Sequence, residues 1–196
     1  MRETDQDQAR LARAGRVFSC ASAVSSGVTE KRTIPCPGCG LAVPDIDAPT
    51  HAYIGAAPGC WEIYGRVLAR EYGELRNPPF HRLTVDAYAA QHPGTESRRS
   101  TQSVAGHLIA LHLVFEQGLA PEVVTKLMPA IVSKAESFRW LMPPSFVGTF
   151  TVESVANAKS AEDHERAARR WAESVWRAWG EHHETVRGWA GAHTLR

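Results

Sequence analysis

The sequence predicts an all-α protein: a compact helical bundle of about five helices, preceded by a proline- and glycine-rich loop that closes around a zinc ion. Three observations lead there. Apolar residues recur at three- and four-residue spacing in several segments after Trp61, the period of a one-sided helix. No alternating run is long enough for a sheet of useful size. Three of the four cysteines fall just before the first periodic segment, among prolines and glycines that exclude long helices. With 196 residues, 43% apolar and 22% charged, the chain can build one core, which excludes a mostly disordered or fibrous protein. Its 22 lysines and arginines balance 21 acids, and a net charge of +1 lacks the excess that phosphate neutralisation along a nucleic acid requires.

Residues 1–33 begin with a charged stretch and continue as small polar residues around Cys20, which buries too little surface to order itself and reads as a mobile arm with an inert cysteine. Met1 to Arg16 precede no apolar run of the secretory kind, and no window of 18 apolar residues occurs. A cytoplasmic protein with reduced thiols and no membrane partner is expected. Residues 34–60 carry Pro35, Pro37, Pro44, Pro49 and Pro58 and need something other than a core to order them. Together with residues 61–196 they form a single domain in this reading.

The first bundle helix is expected from Trp61 to Tyr72, with Trp61, Tyr64, Leu68 and Tyr72 on one stripe, stopped by Asn77-Pro78-Pro79. His81 to Gln91 reads as helix or as irregular structure, closed by Pro93-Gly94. Residues 100–117 form the third element, turning Val104, Leu108, Leu111 and Phe115 to the core before Gly118. Pro121 opens the fourth, with Val124, Leu127, Met128 and Ile131 inward and Pro129 shortening or kinking it. Phe138 to Pro144 is an aromatic, helix-free lid, and Thr151 caps a short helix through Ala158. Ser160 and Asp163 start the last helix, whose stripe is Trp171, Val175, Trp179 and His182.

The chemistry begins at Cys36-Pro37-Gly38-Cys39-Gly40. Two thiolates three residues apart converge on one ion, and the glycines permit the tight turn. His51 and Cys60 follow, so Cys36, Cys39, His51 and Cys60 can complete a closed Cys3His set around a structural Zn2+. A redox role for the CxxC pair lacks the βαβ pattern that would accompany it. Four protein ligands leave no position for water or substrate, so this site is read as structural.

The strings CPGCG (36–40), HAYIG (51–55) with PGCW (58–61), HRLTVDAY (81–88) and QHPG (91–94) resemble those of an uncharacterised bacterial family of unknown function. The resemblance spans about residues 34–190. It implies the limits of the domain and transfers no catalytic role.

A second polar group follows. His81, Asp86, Tyr88 and His92, with His107 on the next helix, can meet if two antiparallel helices carry them, and would suit acid/base work. Arg98, Arg99 and Gln102 would bind a carboxylate or phosphate beside them. The alternative reading has each histidine hydrogen-bonded within the bundle, to a backbone carbonyl or to a neighbour such as Asp86. Two functions therefore stand open: a zinc-stabilised module that binds a protein or small molecule, or a hydrolase or transferase using the histidine pocket.

Overall fold

Thr33–Pro35 (β1) and Ala42–Pro44 (β2) pair antiparallel, Ile34 opposite Val43, as a two-stranded hairpin with the CPGCG turn at its tip. Strands of three residues are too short to leave a readable alternation, which is why the sequence pattern showed no sheet. Inside the tip the Cys36 amide donates to the Leu41 carbonyl and the Gly40 amide to the Cys36 carbonyl, both at 2.8 Å. Gly40 takes a φ of +74°, left-handed backbone that glycine adopts without strain. The structure is a computed structural model describing residues 32–133 and 137–194, with side chains to residue 191. The expected arm, apart from its last residues, and Cys20 lie outside the described residues.

Helices α1 (Pro58–Gly73), α2 (His81–Gln91), α3 (Arg98–Phe115), α4 (Pro121–Val132), α5 (Val152–Ala156), α6 (Ala161–Ala178) and α7 (His183–Thr194) make up most of the rest. Proline starts α1 and α4, where a missing amide hydrogen costs no helical bond. Serine starts α3 and α6: Ser97 Oγ accepts from the Ser100 amide and Ser160 Oγ from the Asp163 amide. α2 and α3 pack on each other and on α6, α1 packs on α5, and α4 and α7 close over α3. None of the described helices is long and apolar enough to cross a membrane.

Several expectations are corrected. The second segment is helix over all of His81–Gln91. In α1 the buried face is Cys60, Tyr64, Val67 and Glu71, whereas Tyr72 is 59% exposed. That face is rotated from the expected one because a carboxylate, Glu71, sits at a core position. In α4, Val124 and Ile131 are buried but Leu127 is exposed, and the helix runs through Pro129 to Val132. The last helix stops at Ala178; a single 3-10 turn, Gly180–His182, separates it from α7. Gly180, a poor helix former, coincides with that break.

Leu111 is fully buried in the centre of α3. Leu111→Ala should lower unfolding free energy by about 2 to 5 kcal/mol in denaturant titration, and a change within error would mean that this face is not core.

The helix-free segment after Phe138 is fastened from α2. Gln91, fully buried, donates from Nε2 to the carbonyls of Val147 and Phe150 at 2.8 Å each and accepts at Oε1 from the Trp171 indole at 3.0 Å. One side chain thus joins α2, α6 and the loop while satisfying its own buried amide.

Candidate metal centre

The hairpin tip supplies Cys36 and Cys39, the first turn of α1 supplies Cys60, and the residue that ends α2 supplies His92. Their four ligand atoms all lie within 4.8 Å of one another. Cys39 Sγ and Cys60 Sγ are 3.9 Å apart, and Cys60 Sγ and His92 Nε2 are 3.5 Å apart. Tetrahedral coordination with zinc bonds of ordinary length would place two sulfurs about 3.8 Å apart and a sulfur and nitrogen about 3.6 Å apart. The two separations match a tetrahedral ion, and the donor set fits one.

The fourth position corrects the sequence expectation, since His92 stands where His51 was expected. α2 ends at Gln91, and His92 leaves helical geometry at φ −125°, ψ 61°. Its Nδ1 hydrogen donates to the Tyr88 carbonyl at 2.7 Å, so Nε2 is the nitrogen that faces the sulfurs. A metal-binding histidine is oriented by such a bond from its other nitrogen. His51 instead turns edge-on to Tyr53, with ring centroids 4.3 Å apart, and lies 5.6 Å from Trp61. Gly38 explains why the turn can approach this histidine: a Cβ there would overlap His92 Cδ2 and the carbonyls of Gln91 and Gly55.

Surrounding groups tune the sulfurs. The Ala57 amide points at Cys36 Sγ at 3.4 Å, and the Tyr88 hydroxyl donates to Cys60 Sγ at 3.6 Å. Tyr88 stacks between Tyr64, at 3.8 Å, and His92, at 4.1 Å, forming an aromatic wall. Cys36 and Cys60 are buried and Cys39 half-buried, all three as free thiols. Hydrogen bonds from Cys39 and Cys60 hold the Cys36 thiol below its ordinary pKa, while Cys60, bonded to the same sulfurs and buried, is pushed up. Burial disfavours the charged ring of His92, but the neighbouring Cys36 and Cys39 sulfurs outweigh it and raise the ring to about 9. A bound cation would displace the remaining thiol protons and neutralise the charge then gathered here.

The other predicted residues do not meet in one pocket. His92 belongs to the sulfur cluster, and Tyr88 hydrogen-bonds into it. His81 Nδ1 lies 2.6 Å from Glu71 Oε2, with its Nε2 2.9 Å from the Tyr72 hydroxyl. His107 Nδ1 lies 2.7 Å from Asp86 Oδ1, the bundle-internal alternative. Arg99 and Gln102 line one open cleft with His107, and Arg98 lines a neighbouring one with Gln102, Arg139 and Trp140. Sequence reasoning missed the buried Glu71, which accepts from Thr84 Oγ1 at 2.6 Å and bonds His164 Nε2 at 2.8 Å besides His81. The only sequence signal was a carboxylate at spacing seven from Tyr64, on a stripe otherwise apolar.

A family model described as a family of unknown function (DUF5946) matches residues 34–180. No curated protein and no solved structure matches the chain.

Proposed function

The chain belongs to this family of unknown function, and we propose that in it a single structural Zn2+, held by Cys36, Cys39, Cys60 and His92, ties the N-terminal hairpin to a helical bundle that works by binding a protein or small molecule. The observation that carries the reading is the convergence of three sulfurs and an oriented imidazole within 4.8 Å of one another. A Cys3His donor set favours zinc over magnesium or calcium, which take oxygen ligands. Because all four positions come from protein, the ion crosslinks and does no chemistry on a substrate. Free thiols gathered for a cation, rather than paired, support a reducing, cytoplasmic setting. The three histidines of the hydrolase or transferase reading are engaged at three separate places, so they support binding rather than turnover.

The test is elemental analysis of protein purified without chelator and without added metal. About one zinc per chain is expected, released together with loss of the folded state when a strong chelator is added. Metal-free protein that melts at the same temperature with and without added zinc would overturn the reading.

A further inference from the structure

Between the metal loop and the start of α3 lies a cleft of about 460 Å³, lined by Tyr53, Arg99, Gln102, Ser103, His107 and Val132. We propose that it binds the phosphate group of a small phosphorylated molecule. Among the described residues no carboxylate lines it, and each polar residue in it can donate a hydrogen bond, which suits a ligand rich in acceptors. Among the described residues, the side chains of Arg99, Gln102 and Ser103 form no hydrogen bond or ion pair. They stand on the first turns of α3 at spacings of three and four, which brings them to one side of the helix.

His107, one turn further along, is held rather than loose. Its Nδ1 bonds Asp86 Oδ1 at 2.7 Å, and Asp86, with a fully buried side chain, is gripped by Arg82 through both oxygens at 2.8 and 2.6 Å. An acceptor carboxylate on Nδ1 places the proton there and leaves Nε2 as the other nitrogen of a 20% exposed ring. Neutral Nε2 accepts from the P–OH of a phosphate monoanion; protonated Nε2 donates to the dianion. A phosphate monoester, whose second pKa is about 6, presents both forms near neutrality and three oxygens for the remaining donors. A carboxylate has two oxygens and no proton to offer there. The cleft is of the size that small-molecule sites have, larger than a bare phosphate fills, so the ligand carries an organic body.

The far wall comes from the metal loop: Tyr53 packs on His51, and the Gly55 amide donates to the His92 carbonyl at 3.1 Å. This inference adds a ligand site to the zinc reading and does not depend on which metal holds the loop.

The experiment titrates inorganic phosphate, glycerol 3-phosphate and acetate into the full chain as purified, by calorimetry, with histidine ring signals followed by NMR. Both phosphates should saturate one site and move the His107 ring signals, glycerol 3-phosphate more tightly, with acetate at least about tenfold weaker. Arg99→Gln should weaken phosphate binding at least about tenfold while thermal unfolding stays unchanged, because a charge-assisted bond is lost from an exposed side chain. Arg98→Gln, on the neighbouring cleft, should stay within about twofold of the parent. Absence of saturable phosphate binding, acetate binding as tightly as phosphate, an unaffected Arg99→Gln protein, or an equal loss in Arg98→Gln would each overturn the proposal. Zinc content measured on the same samples keeps failure here separate from failure of the metal reading.

Discussion

His92→Ala should cost the protein its metal, whereas His51→Ala should leave it in place. His92 Nε2 stands 3.5 Å from Cys60 Sγ, and its ring is steered by the Tyr88 carbonyl, while the His51 ring packs on Tyr53 and Trp61 outside that group. Outer residues around a metal alter affinity by about 10- to 100-fold, so loss of a direct ligand should weaken zinc by at least about 100-fold. At metal concentrations that saturate the parent, that loss removes about 2.7 kcal/mol of linked stability. The melting point should fall by about 5 to 10 °C for a chain of this size. Cys60→Ser should behave like His92→Ala, and Cys20→Ser like the parent. Competition with a chromophoric chelator measures the affinities directly, and equal zinc affinity in the two histidine variants would refute the ligand assignment.

Glu71→Ala is expected to be among the most damaging substitutions outside the metal centre. The side chain is fully buried and serves Thr84, His81 and His164, which come from α2 and α6. Removing it strands the buried Thr84 and His164 side chains and unties the half-buried His81, and breaking such a cluster costs about 3 to 5 kcal/mol. Glu71→Gln keeps the volume but turns an amide NH2 toward groups that donate, so it should recover only part of that loss. Acid titration separates charge from packing. Burial opposes ionisation of Glu71, yet the hydrogen bonds from His164, His81 and Thr84 prevail and hold its pKa below the ordinary carboxylate value. The unfolded chain therefore takes up this proton more readily. The stabilisation is complete above the unfolded value of about 4.3 and is lost as pH falls through the lower folded value. Denaturant midpoints recorded against pH should accordingly fall less steeply in acid for Glu71→Gln than for the parent; parallel slopes would mean that the carboxylate charge contributes nothing.

Punctuation in the chain made most helices legible. Pro121 at the start of α4, Ser160 at that of α6 and Gly118 after α3 act locally, so they can be read without knowing the fold, whereas Pro58 and Ser97 open α1 and α3 a few residues before their expected starts. The cysteine knuckle was legible for the same reason. The fourth ligand was not, because a search along the chain favours the nearer histidine. His92 is 32 residues beyond Cys60, and only the ending of α2 against the hairpin brings it back. Glu71 and His164 were hidden more deeply. Their bond spans 93 residues, and neither residue carries a local mark that distinguishes it from a solvated one. His107 shares α3 with the core face, and its Nδ1 bonds one neighbour, Asp86, which comes from the preceding helix.

The separation of the four ligands along the chain also sets a timetable. Cys39 and Cys60 are 21 residues apart and Cys60 and His92 another 32, so a ribosome must release the whole of α2 before the coordination shell can close. Until then a nascent chain can offer this site the sulfurs of Cys36, Cys39 and Cys60 but not His92, and the entropy of closing the second loop is still unspent. On the proposed metal reading the shell can close only when His92 arrives, and that coincides with the emergence of Gln91, the side chain on which the later loop and α6 will dock.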